Sequence, residues 1–447
     1  MRSVYARFTL IIVLTLMSII GGGCGSSPQP TPTPTKTPTP PPPVPTERPT
    51  ATATWTRPKP TVRIVTPTPT PLPPTSTPTS TPTEARPSPT PTPTPPSPPS
   101  GQAQPTSPAA QPSLAQGTPV PLPARPDNVN PLTGLPVPDP QVLQRRPIHV
   151  RIGNDPQIRP QIGLNQADVI YEELIDSLVD PQHPSAIRAF MTRITGVYLS
   201  QDPVKVWPVR SARLVSIALA REYHAALVHS GASDGIRFRL KQARDAGEDF
   251  IDLDEFYHPS IFTTHNEYDW RGRKSVDLVK TRQYLRQHGW EKPVPLRGFY
   301  FEDSPPPGGQ PAASVDIPYP ACCRVTWKYN AQTGQYERYV RGKPHTDRAD
   351  NRIIGVSNVI IHFAKHENTD MIEDSAGSRG IRIYLDGEGE AWIFRDGQWY
   401  RARWRHTDRF QMTEYLDLNG RPFPLKPGRT WVQFVPLTYD IPIHPGP

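Results

Sequence analysis

Pro208-Val209-Arg210-Ser211-Ala212-Arg213 opens an apolar, helix-periodic run that reaches Tyr223 and returns as a short apolar strand over 226–228, ending at His229-Ser230-Gly231. Ahead of it, residues 189–199 alternate as a strand that carries Arg193. Strand, helix and strand at this spacing predict an α/β unit, in which polar residues collect at strand ends and helix starts. The six-residue stretch is also the sharpest chemical feature of the chain. If Ser211 caps the helix, the free N–H groups of its first turn and the guanidinium groups of Arg210 and Arg213 face one anion.

Residues 148–152 and 167–174 read as two further strands, and 235–246 and 275–288 as two helices that cover the sheet. From about residue 296 the character changes. Short runs rich in Val, Ile, Tyr, Trp and Phe recur at 298–301, 325–329, 356–362, 381–385, 391–394, 399–404 and 431–435, a pattern that predicts a mostly β domain, barrel or sandwich. Asp396-Gly397 is a strong hairpin signal between two of these runs.

The first third of the chain is of another kind. Of 447 residues 63 are prolines, and most of these fall before Asn128. From Ser26 to Arg125 the chain is Pro, Thr and Ser with few large apolar side chains, so burial cannot offset the entropy of ordering. Thr-Pro repeats favour polyproline II, which rises about 3.1 Å per residue, so roughly 100 residues extend at most about 300 Å. This is a disordered Pro/Thr-rich stalk. Roughly 320 residues remain for one large domain or two.

The stalk is preceded by a leader. Arg2 and Arg7 supply a positive start, an apolar run over 8–20 follows, and Gly21-Gly22-Gly23 precede Cys24. This resembles a bacterial lipoprotein signal peptide, which implies cleavage before Cys24, lipidation of Cys24, and anchoring at the outer face of the cytoplasmic membrane. Nine basic and two acidic residues lie up to Arg125, so the leader and stalk carry most of the net charge of +8. The nearly neutral remainder has no global footprint for nucleic acid. The expected division is a signal peptide over 1–23, the stalk over 24–127, an α/β domain over 128–293 and a β-rich domain over 294–447.

Several ordered motifs extend the reading: Asn130-Pro131-Leu132-Thr133-Gly134, Arg159-Pro160-Gln161, Ala167-Asp168-Val169-Ile170-Tyr171-Glu172-Glu173, the PVRSAR stretch, His229-Ser230-Gly231, Gly342-Lys343-Pro344-His345-Thr346-Asp347 and Pro427-Gly428-Arg429-Thr430-Trp431. In this order they resemble the YerB-like family of proteins described as bacterial lipoproteins and built from two adjoining domains of unknown function. The resemblance implies an envelope location and leaves activity open. Arg348-Ala349-Asp350 stands where the family pattern has a glycine-containing turn.

The candidate ligand site gathers Arg159, Asp168, Arg193, Arg210, Ser211, Arg213 and His229. Arginine forks suit phosphate or carboxylate; the structural alternative is that Arg210 and Arg213 pair with Asp168, Glu172 or Glu173. Ser211 lies in no GxSxG elbow, and His229 is either an acid, base or donor in the cleft or a satisfied strand-end residue. His362 and His366 are four apart, but the surrounding run reads as strand and no glutamate lies between them; His345 and Asp347 share a loop. Cys322 and Cys323 are adjacent, and on a strand their sulfurs would face opposite ways. No metal and no cofactor is expected. The leading function is a non-enzymatic binding or scaffolding module in cell-wall metabolism, with a cell-wall polymer or wall-assembly protein as partner. The alternative is a phosphotransferase or hydrolase acting on polyprenyl-phosphate-linked glycans, since residues 191–213 resemble, at the level of fold, the LytR-like phosphotransferases.

Overall fold

The computed structural model describes residues 118–446 except Ala321. The leader, Cys24 and the stalk, apart from its last few residues, lie outside the described residues. The described part is mostly β with few helices. Its first half holds β1 (Ile148–Gly153), β2 (Val169–Ser177), β3 (Ala189–Tyr198), β4 (Ala226–His229) and β5 (Ile251–Asp254), together with α1 (Leu214–Glu222), α2 (Asp234–Asp245) and α3 (Leu278–Gln287).

A 13-stranded sheet is shared by both halves of the chain. Across its main path it runs Glu414–Leu416, Gln398–His406, Gly387–Arg395, Asn358–Ala364, Thr430–Pro436, then β2, β3, β1, β4 and β5. The strand Thr430–Pro436 lies parallel to both neighbours, with Thr430 opposite Val169 on one side and Asn358 on the other. β1, β4 and β5 are parallel, and α2 joins β4 to β5; the strand that precedes α1 is β3, which runs antiparallel to β1 and is separated from β4 by it, so the strand–helix–strand run over 189–228 is not the parallel unit expected from the sequence. β1, β2 and Thr430–Pro436 are buried throughout, in keeping with a sheet covered on both faces.

The later strands form no self-contained barrel. Some complete the large sheet, and the others make a second, six-stranded sheet around Val325–Asn330 and Gln335–Val340. This second sheet packs on the first through Trp327, which meets Trp431 edge-on with ring centroids 5.3 Å apart. Tyr319 adds hydroxyl bonds to the Glu172 and Phe434 carbonyls. Asp396 and Gly397, with φ of 53° and 71°, turn the Gly387–Arg395 strand tightly into Gln398–His406. Residues 298–301 are not a strand; only Phe301 bridges, to Leu425.

The helix starts are set by side chains. Ser233 accepts from Ile236 N to begin α2, and Asp277 accepts from Lys280 N to begin α3. At α1 the capping position is Arg213, and Ser216 accepts from its N–H. Ser211 therefore does not cap the helix. The chain is still extended there, held beside β4 by Ala212 N bonding to the Gly231 carbonyl and Ser230 N to that of Arg210.

Candidate functional site

β2 alternates, so Glu172 and Glu173 address opposite faces of the sheet. On the Glu173 face, Arg193 of β3 is its cross-strand neighbour, and Arg151 of β1 closes on it in a fully buried ion pair. Near the end of β2, Asp176 adopts φ 57°, which breaks the alternation and carries its carboxylate to the start of α1. There Arg213 grips it with two bonds, Nε to Oδ1 at 2.7 Å and Nη2 to Oδ2 at 2.9 Å. Glu373 stands 3.5 Å from the same Nε.

Arg193 and Arg210 complete the cluster, and among the described residues neither has a carboxylate at bonding distance. Arg193 donates from Nη1 to the Ser211 carbonyl at 3.1 Å. Arg210 donates to the Trp270 carbonyl at 3.1 Å and lies over the Trp270 ring, 4.3 Å from its centroid. Both Nε atoms are buried without an acceptor, an arrangement that costs free energy unless something fills it. The electrostatics agree. Burial, then the cations Arg213 and Arg210, push the Arg193 guanidinium well below its usual range. Burial also lowers Arg210. For Arg213 burial acts the same way, but Asp176 outweighs it and the group is raised.

The other sequence candidates lie elsewhere or are engaged. His229 bonds the Gly231 carbonyl through Nδ1 at 2.9 Å and Asp252 through Nε2 at 2.7 Å, so it fixes the turn behind Arg210. Asp168 accepts from Asn130 Nδ2, Leu199 N, Ser200 N and the Ser200 hydroxyl, which ties the Asn130–Gly134 turn to the end of β3. Neither Asp168 nor Glu172 or Glu173 pairs with Arg210 or Arg213; the partner of Arg213 is Asp176.

Arg159 joins a second network with Asn154, the Cys322 carbonyl and Cys323 Sγ. The two cysteines precede the strand Val325–Asn330 in a turn, so their sulfurs meet at 2.6 Å instead of facing apart. A hydrogen bond from Cys322, with help from Arg159, holds the Cys323 thiol below its usual range. His345 and Asp347 serve the fold: His345 bonds Arg338 and Gln161, and Asp347 accepts from Gly163 N and Asn165 N. His362 is buried and stacks on Trp404, 4.4 Å between centroids, and His366 bonds the Ala364 carbonyl.

The architecture has relatives. Residues 132–275 match the N-terminal domain, and 315–432 the C-terminal domain, of the family described as protein of unknown function DUF3048. The chain belongs to this two-domain family. A curated relative in Bacillus subtilis (strain 168), named "Putative lipoprotein YerB", is 28% identical over 312 residues, spanning 68% of this chain and 86% of that protein. The crystal structure of YerB protein from B. subtilis is similar with a TM-score of 0.57 and 25% identity, over 70% of this chain and 98% of that one.

Arg151, Asp176, Trp270 and Glu373 are members of the arginine cluster that sequence reasoning did not single out, and Glu173, on the sequence a candidate partner of Arg210 or Arg213, pairs with Arg151 instead. The pairing of Glu173 with Arg193 follows from strand alternation once the β2–β3 register is known. Glu373 and Trp270 arrive from segments 160 and 60 positions from Arg213 and Arg210, and no local pattern marks them.

Proposed function

We propose that this chain is a lipid-anchored binding module of the bacterial envelope, held at the outer face of the cytoplasmic membrane through Cys24 and taking an anionic ligand at Arg193 and Arg210. The observation that carries the site is the pair of buried, unfilled Nε donors on two arginines with no bonded carboxylate. An anion placed between them supplies both acceptors and offsets the burial and the neighbouring cations that depress Arg193. Arg213 belongs to the frame of this site, since Asp176 already occupies its fork. The reading is of binding because Asp176 is held by Arg213, Glu173 by Arg151, and His229 by Gly231 and Asp252, while the remaining carboxyl group, Glu373, faces Arg213 at 3.5 Å.

The location rests on the leader and on the lipoprotein name carried by the B. subtilis relative. The stalk over 24–127 separates the anchor from the folded residues, whose α/β portion over 128–293 and β-rich portion over 294–447 serve as one scaffold, with a cell-wall polymer or wall-assembly protein as partner.

Calorimetric titration of the full chain with inorganic phosphate and a short-chain polyprenyl phosphate tests the site. Arg210→Gln and Arg193→Gln should each weaken binding about 10- to 150-fold, as expected for about 1.5–3 kcal/mol per charge-assisted hydrogen bond. Unchanged affinity in Arg210→Gln, with its melting temperature preserved, removes the anion site. Cys24→Ala should release the protein from the membrane fraction or leave an uncleaved precursor; normal processing and retention would remove the anchor.

A further inference from the structure

A second cationic cleft, apart from the arginine cluster, lies between the segment carrying Arg159 and the hairpin at Arg341. It encloses about 370 Å³ and is lined by Arg159, Arg341 and Lys343, by the rigid apolar rings of Pro156, Pro160 and Pro344, and by no carboxylate. The charges are uncompensated. The side chains of Arg341 and Lys343 have no ion pair or hydrogen bond among the described residues, and the groups that Arg159 bonds are amide and carbonyl oxygens and the Cys323 sulfur. The floor is held still by His345, whose Nδ1 accepts from Arg338 Nη1 at 2.7 Å and whose Nε2–H donates to Gln161 Oε1 at 2.6 Å.

The hairpin adds an independent observation. Val340 pairs with Lys343 across Arg341 and Gly342, which adopt φ of 52° and 76°. The other tight turn of this kind, Asp396-Gly397, uses the residue pair that favours left-handed backbone. An arginine in this conformation is disfavoured by about 1–2 kcal/mol, and the fold itself takes nothing back from it, because its side chain makes no bond. What the residue does provide is a charge at the rim of the cleft.

We propose that this cleft binds a polyvalent oxyanion, a chain of phosphate groups, with Arg159 on one rim and Arg341 and Lys343 on the other. Three separated cations with no carboxylate among them match several negative groups in succession better than one. The proline faces offer van der Waals contact to the linking atoms between charges. The inference does not depend on the Arg193–Arg210 site, and the variants below keep the two apart.

Phosphate chains exist free, as linear polyphosphate, and as wall polymers, for which poly(glycerol phosphate) is the probe. Full-length protein should bind either chain at least 10-fold more tightly than inorganic phosphate, with affinity falling as salt rises. Arg341→Asn removes the charge and suits the turn, so it should preserve or raise the melting temperature while weakening chain binding about 10-fold. Lys343→Gln should do the same to affinity, and the double variant should lose 50-fold or more. All of these affinities are read in full-length protein carrying Arg210→Gln as the parent, so that the Arg193–Arg210 site contributes little to either the chain or the inorganic phosphate signal. A preference for poly(glycerol phosphate) assigns the cleft to polyol-linked polymers, and a preference for polyphosphate assigns it to bare chains. Inorganic phosphate binding as tightly as either chain, or a double variant that binds like this parent, overturns the proposal.

Discussion

Glu172 and Arg338 form a 2.7 Å ion pair in which neither side chain is exposed, joining β2 of the large sheet to the strand Gln335–Val340 of the small one. Glu172 also accepts from Asn154 Nδ2 and the Thr192 hydroxyl, and Arg338 lies 4.6 Å from the Trp431 ring centroid. The pair thus bolts together elements 166 residues apart in sequence. Removing one partner leaves a buried charge alone, which typically costs about 3–5 kcal/mol. Arg338→Met should lower stability by that order in urea denaturation, and the double variant Arg338→Met, Glu172→Leu should recover a large part of it. Equal loss in single and double variants would deny the coupling.

The arginine cluster makes a contrast between neighbours. Arg213→Ala strands Asp176 at a buried position and should destabilise the fold by about 3 kcal/mol. Arg210→Ala removes one hydrogen bond and a stack on Trp270, together worth about 1–2 kcal/mol. Thermal melts of the two variants should therefore separate clearly, with Arg213→Ala the lower.

Acid should weaken the protein through His149. Its ring is buried on β1 with neither nitrogen bonded, edge-on to Tyr223 at 4.8 Å. Burial, then Arg151, lowers its pKa from 6.5 to about 3. Below about pH 6.5 the unfolded chain binds a proton that the folded chain refuses, so stability is whole above that pH and declines towards pH 3. His149→Phe should flatten the pH profile of stability in this window, measured by denaturant midpoints from pH 7 to pH 4.

Base should act through His406, in the opposite sense. Burial opposes its charge, but Glu222 and the Asp386 carboxylate prevail and raise its pKa to about 9. The folded chain holds this proton more tightly than the unfolded one, so the contribution is complete below about pH 6.5 and is lost as pH rises through 9. A stability profile from pH 6 to pH 10 should fall in wild type and fall less in His406→Gln.

Much of the fold was legible because its elements obey local rules. Residues 148–152, 189–199 and 212–223 are periodic enough to be placed within a few residues of β1, β3 and α1, and Asp396-Gly397 announced its hairpin. The site was legible only in its cations. Arg193, Arg210 and Arg213 lie in one cluster, whereas Arg159 and Asp168 belong to other networks, and the positive φ of Asp176 that turns its carboxylate towards Arg213 has no signal in Ile175-Asp176-Ser177. Ser211 misled because a serine before an apolar run imitates a cap, while tertiary bonds to Ser230 and Gly231 keep the chain extended past it. The merging of both halves into one sheet was invisible for a different reason: periodicity reports that a residue run is a strand and is silent on which strand lies beside it.

The placement of Thr430–Pro436 governs when the molecule can become whole. Among the described residues this strand follows every other strand of the large sheet in the chain, yet it separates β2 from Asn358–Ala364, which are not neighbours along the sheet's main path. Until it arrives, a nascent chain holds two partial sheets, each with a long apolar edge and unpaired backbone groups that invite association with another molecule. Completion is therefore a zipper closed by its final tooth, and a chain emerging through a narrow channel must be shielded, or emerge quickly, over the interval between residues 364 and 430.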